Sequence, residues 1–385
     1  MSGRTVTVLG AGFAGLSVAL ELRRRLSAEH RIVVVDRRRG FSECGFNLGI
    51  MTGERKETVL DDADLSLLTP KGIEFVSEAV VRIDPGARRV ETATRSVESD
   101  YLVVALGAEL VPQEIPGFES AALNLYDRNG ALQLREKLAS FEKGRVAVLI
   151  SRTPFKCPAA PYEAALLLDA YFRKTGRREG VQIDLYTPEW QPMPVAGEQV
   201  GDGLQGFLRE RGIGYHPDFM VLKIDPDARR IWFETEEAQY DLLVGVPPHA
   251  APTVVREAGL TDSTGWVPVH PGKLTTRFPG VFALGDLAVI RLHHGMFLPM
   301  AGVFAVQEGL VVATNIANEI LGEAERVDYA RDGFCYVEVG DGLAAMGSGN
   351  FYRSPRPEIL LTAPSAEHKV AKDAFAETLL ESLRA

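Results

Sequence analysis

At 385 residues, 46% of them hydrophobic and 24% charged, the chain is long enough for two domains and has the composition of a soluble globular protein. Its formal net charge of −10 argues against nucleic-acid binding, which needs a basic face. With no run of 18 apolar residues, no signal peptide ahead of the first strand and only three cysteines, it reads as cytoplasmic, at most peripheral on a membrane, with no disulfide scaffold and no metal centre.

Thr5–Leu9 is predicted as a strand running into Gly10-Ala11-Gly12-Phe13-Ala14-Gly15 and a helix over 16–26, and Arg31–Val35 as a second strand ending in Asp36. In this strand–turn–helix–strand setting the glycines have distinct tasks. Gly10 allows the tight turn, Gly12 admits a pyrophosphate, and Gly15 lets helix and strand pack closely. The helix N-terminus offers its N–H groups to phosphate. Asp36, 21 residues after Gly15, suits a ribose 2′-hydroxyl and repels a 2′-phosphate. Arg37–Arg39 reads as a solvated patch from which one side chain, with Arg37 the candidate, stacks on adenine. Cys44 follows Asp36 by eight residues, within reach of a flavin ring, and loop packing and a flavin contact stay open for it. Val80 is counted with the cofactor contacts.

Two later stretches select the dinucleotide. Residues 101–108 form a strand ending in the small turn Ala105-Leu106-Gly107, and 275–286 form a turn, a strand and Gly285-Asp286. An acidic residue at a strand end beside glycine suits ribityl hydroxyls. The helix over 301–321 then aims its positive end at a flavin. Together these specify FAD. Between them lies an insertion with strands at 146–150 and Val181–Tyr186, helices at 162–172 and 201–211, and a hairpin through 225–230. The expected architecture is α/β, with two Rossmann-like dinucleotide-binding domains. The FAD-binding domain takes 1–110 and 242–326, the strand 241–246 returning the chain to it. A second domain takes 111–241. A tail over 327–385 holds a hairpin (333–339 and 343–352, turning at Gly340-Asp341-Gly342) and a helix, Ala366–Arg384, with Val370, Ala374, Leu379 and Leu383 near one face, for packing on the body, on a second subunit or on a membrane.

The second domain lacks what its fold would use for a nicotinamide cofactor. The loop after 146–150, SRTPFKCPAAP, has no glycine, so no backbone there approaches a pyrophosphate. It carries Cys157 between prolines, beside Lys156 and ahead of a helix. These neighbours favour thiolate and mark a reactive thiol. Taken alone, Cys335 reads as a core residue, Glu163 as a solvated helix position, and His293 and His294 as surface or packing residues.

PFKCPAAPYEAA, GWVPVHPGKLTTRFPGVFALGD and GFCYVEVGDG resemble segments of the sulfide:quinone oxidoreductases and of the flavin subunit of flavocytochrome c sulfide dehydrogenase. The resemblance covers nearly the whole chain. It implies oxidation of sulfide to sulfur or polysulfide through a Cys157–Cys335 disulfide beside FAD, with Lys156 stabilising anionic sulfur and electrons leaving to a quinone. In the flavocytochrome branch the acceptor is a c-type cytochrome. SECGFNLGIMTG is similar to the stretch where that branch attaches its flavin, which would give Cys44 a thioether. Two departures stand out. Met300 occupies the place of a lysine found in many quinone-reducing relatives, and the last helix is plainer than their membrane-binding ends. A homodimer through that helix and a flavin-binding redox sensor complete the expectations.

Overall fold

The computed structural model describes residues 3–41, 45–55, 63–329 and 332–384. Cys44 lies outside the described residues. Two five-stranded parallel sheets organise the chain. The first runs Val281–Ala283, Tyr101–Val104, Thr5–Leu9, Arg31–Val35, Glu74–Val76, and the second runs Leu123–Asn124, Leu242–Val246, Gly144–Ile150, Val181–Tyr186, Gly214–His216. The central strands are almost unbroken apolar runs, as strands covered on both faces must be.

One expectation is corrected here. Leu242–Val246 does not return the chain to the first sheet. It pairs in register with 146–150, at the heart of the second. A fully apolar strand suits either sheet, so the pattern alone could not choose. The crossing back comes later, where His249–Ala250 pairs antiparallel with Glu109–Leu110. The second unit therefore extends past the expected boundary at 241.

Four helices position the site. Helix α1, Phe13–Arg25, follows the glycine turn, and α2, Ala160–Lys174, follows the glycine-free loop. Helix α3, Gly302–Leu321, packs against α1, and α4 is Ala366–Arg384. Among the described residues, no helix is long and apolar enough to cross a membrane.

The tail is more than a hairpin. Asp332–Gly340 and Leu343–Asn350 pair antiparallel around the expected turn, and Glu358–Leu361 adds a third strand. Asp341 and Gly342 both adopt the left-handed backbone such a turn requires. The sheet is tied to the second unit through Asp341, which pairs with Arg173 and Arg211; both also pair with buried Asp169. The inward face of α4 also differs from the apolar pattern. Leu379 and Leu383 are buried, but Val370 is 68% exposed and Ala374 faces solvent. The helix is turned by Lys369 and Lys372, whose ammonium groups reach inward to acidic partners.

Candidate active site

A groove of about 1020 Å³ runs between the two sheets and gathers most of the predicted site. Gly10, Gly12, Phe13 and Ala14 line one end with Asp36, Arg37 and Val80. Ala105, Leu106 and Gly107 also line it, as do Gly285, which lies against Ala14, and Asp286, Lys156 and Cys157. Gly15 and Cys335 are not on the wall.

The glycine turn fits a dinucleotide. A Cβ at Gly12 would meet nothing within 4 Å, so the bare backbone there faces open groove. Gly12 caps α1 without any side-chain hydrogen bond, which leaves first-turn N–H groups to a ligand. Gly15 is bare for another reason, since its Cβ would lie 1.8 Å from the Gly10 carbonyl oxygen. Gly15→Ala must push helix from strand, at about 1–3 kcal/mol, and misplace the phosphate turn. It is expected to lower the thermal midpoint and weaken FAD binding together, as scanning fluorimetry with and without FAD would show.

Asp36 accepts the Ala11 N–H at 2.8 Å and pairs with the Arg38 guanidinium at 3.2 Å. Burial works to raise its carboxyl, but Arg38 and the Ala11 N–H outweigh it and hold Asp36 below its ordinary value. Asp286 is raised by burial, with Lys156 opposing. The residues present thus fit a flavin dinucleotide, with a bare glycine turn and two strand-end acids lining one groove.

Cys157 sits where the groove meets α2. Its backbone is left-handed, with φ 49°, and its N–H donates to the Met300 carbonyl at 2.6 Å. The Tyr126 hydroxyl donates to the Cys157 carbonyl at 3.1 Å, and the Lys156 ammonium lies 5.7 Å from the Tyr126 ring centre. Met300, buried, therefore anchors the thiol loop through its backbone.

Cys335 approaches from the tail sheet, and Lys372 of α4 links the two thiols. Its ammonium reaches Glu163 and, at 3.1 Å, Glu338. Glu163 also accepts the Glu338 N–H at 2.7 Å. Burial opposes charging Lys372, but Glu163, Glu338 and the Cys157 sulfur outweigh it and keep it cationic. The same ammonium acts on Cys335, whose thiol is nevertheless pushed up to about 12 by burial and by Glu163. Cys157 and Cys335 thus face one cation, and no bond joins them to each other.

One expectation changes. Glu163 is not a solvated helix position but a buried acid in the first turn of α2. Cys335 packs against the core, as its strand suggests, and feels the same Lys372 ammonium as Cys157. Sequence reading missed Lys372, Glu338 and Tyr126 altogether. Lys372 stands 209 residues from Glu163, and no local pattern marks it. The histidine pair, His293 and His294, is absent from the groove wall.

A second, apolar groove of about 500 Å³ lies between α1, α3 and α4, with Leu20, Val306, Leu310 and Leu379 on its walls. Phe13 lines both grooves and stacks on Phe375 of α4 at 5.9 Å.

Residues 4–149 match the model of the pyridine nucleotide-disulphide oxidoreductase family. The mitochondrial sulfide:quinone oxidoreductase of Mus musculus is 30% identical over 295 residues, covering 73% of this chain and 65% of that protein, so the chain spans less than two thirds of that relative. The sulfide-quinone reductase of Aquifex aeolicus is 26% identical over 371 residues, covering 91% of this chain and 83% of that one. A solved sulfide:quinone oxidoreductase from Aquifex aeolicus shares the fold with a TM-score of 0.89 at 24% identity, over 99% of this chain and 92% of that one. The chain thus carries a region that matches the pyridine nucleotide-disulphide oxidoreductase model, and its relatives include proteins named sulfide:quinone oxidoreductases.

Proposed function

We propose that the chain is an FAD-dependent enzyme that oxidises sulfide through Cys157 and Cys335 and passes the electrons to a quinone. The observation that carries this reading is the thiol lining the dinucleotide groove, in a loop without a phosphate-binding glycine, sharing a buried cation with the second cysteine.

The cycle starts from a Cys157–Cys335 disulfide, which hydrosulfide attacks. The S–S bond breaks and one cysteine leaves as thiolate. A thiol held near 12 is a poor leaving group, so the incoming sulfur ends on Cys335 as a persulfide and Cys157 leaves. Lys156 and Lys372 stabilise the anionic sulfur. A second hydrosulfide takes the outer sulfur of the persulfide as HSS⁻, and the freed pair of thiols returns to the disulfide by giving up two electrons. FAD supplies the two-electron acceptor in this scheme and the relay to the quinone. Two HS⁻ become one HSS⁻, one proton and two electrons, so the step balances. The residues bring sulfur to the cofactor, hold it anionic and keep the two cysteines opposed.

The apolar groove beside Phe13 supports a quinone rather than a soluble acceptor, because its walls suit an isoprenoid chain and its rim carries Leu310, 43% exposed, for contact with a lipid surface. Cys44 would add a thioether to the flavin 8-methyl, a link that acid precipitation tests by whether the yellow colour stays with the protein.

The discriminating experiment is an anaerobic visible spectrum titrated with sulfide and, separately, with NADH. Sulfide is expected to bleach the flavin band at about one equivalent of FAD per two of sulfide, while NADH leaves it unchanged. Bleaching by NADH alone would overturn the proposal and make Cys157 a structural thiol.

A further inference from the structure

Glu308 has no part in the scheme above, yet it is one of the most enclosed acids of the chain, 4% exposed on α3. Its carboxyl accepts the Gly285 N–H at 2.7 Å. Gly285, at φ 72°, and Asp286 are the turn that lines the cofactor groove. Glu308 also lines a small cavity behind that turn with Gly285, Met300 and Ala301.

The charges around it are one-sided. Asp286 acts on it from the turn. Tyr329, on the segment after α3, faces it with a buried hydroxyl that has no hydrogen-bond partner among the described residues, and Tyr352 stands behind Tyr329. Helix α1, which packs along α3, approaches this part of it with Ala14 and Ser17, neither of them ionisable. Lys156 acts on Asp286 and does not figure among the charges acting on Glu308. Ionised, Glu308 would be a second buried carboxylate beside Asp286 without a cation, a costly arrangement that protonation relieves.

We propose that Glu308 is a proton-linked positioning residue of the cofactor groove: its carboxyl accepts the Gly285 N–H in either state and holds the Gly285–Asp286 turn, and its charge, when ionised beside Asp286, weakens the hold on the anionic flavin dinucleotide. The proposal rests on FAD as the occupant of the groove. Burial raises the Glu308 carboxyl to about 8, and Asp286 adds to this while the Gly285 N–H opposes it. FAD brings two phosphate charges into the groove, so its binding and the protonation of Glu308 favour each other, and the coupling is reciprocal. The sign follows. Below pH 8 the group is neutral and binding is tight; as pH rises through 8 binding must take up a proton, and the apparent Kd grows about tenfold per pH unit.

The test is FAD titration of the apoprotein by flavin fluorescence from pH 6.5 to 9.5, in a Cys44→Ser background where no thioether can form, with Glu308 kept (called wild type below) and with Glu308→Gln, and with circular dichroism to confirm the fold. The wild-type Kd should be flat below pH 8 and climb above it. Glu308→Gln, which stays neutral, should bind at pH 7 within about threefold of wild type and lose the alkaline climb. A folded Glu308→Gln protein that keeps the climb, or that fails to bind at pH 7, overturns the assignment. If the Gln variant does not fold, the wild-type curve decides alone, since a flat curve overturns the proposal. Wild-type protein that binds no FAD at any pH removes the cofactor reading itself, a result distinct from flat binding.

Discussion

Replacing Cys157 or Cys335 with serine is expected to leave a folded flavoprotein that sulfide no longer bleaches, with flavin reduction slowed at least about a thousandfold. Serine keeps a Cβ at the left-handed Cys157 position, so backbone strain is unchanged, and the N–H bond to the Met300 carbonyl survives. The hydroxyl cannot form the sulfur–sulfur bond on which hydrosulfide acts. Stopped-flow absorbance under anaerobic conditions measures the loss, and either variant retaining a tenth of the wild-type rate would sink the two-cysteine scheme. A second readout separates the thiols. In reduced Cys157→Ser protein, Cys335 should alkylate on the order of a thousandfold more slowly at pH 8 than a thiol of ordinary pKa, because burial pushes it up to about 12. Mass mapping distinguishes it from Cys44.

The second large effect belongs to Lys372. Lys372→Met removes the cation shared by Glu163 and Glu338 and leaves buried Glu163 facing Glu338, to which only Lys369 still reaches, at 3.5 Å. Breaking a buried ion pair from one side costs about 3–5 kcal/mol, far more than the intact pair contributes. The thermal midpoint should therefore fall clearly at pH 8, and less at pH 5.5, where Glu163, raised by burial, takes up a proton more readily. Adding Glu163→Gln should restore part of the loss, as a double-mutant cycle would show. Sulfide-driven flavin reduction should also slow in Lys372→Met, because both sulfurs lose their cation. If the midpoint does not move, the ammonium is not the charge that holds α4 to the thiol site.

Most of the cofactor site is legible because its determinants are local. Gly10 to Gly15, Asp36, and the Gly285-Asp286 pair each sit at a strand end, and a strand end in a parallel sheet opens on the groove. The tail turn was legible for the same reason, through Gly340-Asp341-Gly342. The thiol site is different. Cys157 announces itself by the prolines and the missing glycines around it, whereas Cys335 is a cysteine in an apolar strand until Lys372 and Glu163 are seen beside it. Glu163 sits in the first turn of a helix, where acids normally meet solvent, and nothing local shows that a strand and a helix from the tail cover it. The placement of Leu242–Val246 failed likewise, since an apolar run names its environment and not its neighbour. The apolar pattern of α4 did not mark its packed face, because Lys369 and Lys372 turn in.

The dependence of the thiol pair on α4 carries a consequence for the order in which the site is completed during synthesis. Both sheets and Cys157 precede Ala366 in the chain, and Cys335 does too. A nascent polypeptide that has already assembled its groove around FAD still has Glu163 and Glu338 facing each other without a counter-ion, and Phe13 without Phe375. Its sulfurs meet their cation only when the final named helix leaves the ribosome and docks, so a partly made flavoprotein could hold its cofactor before its thiol chemistry is switched on.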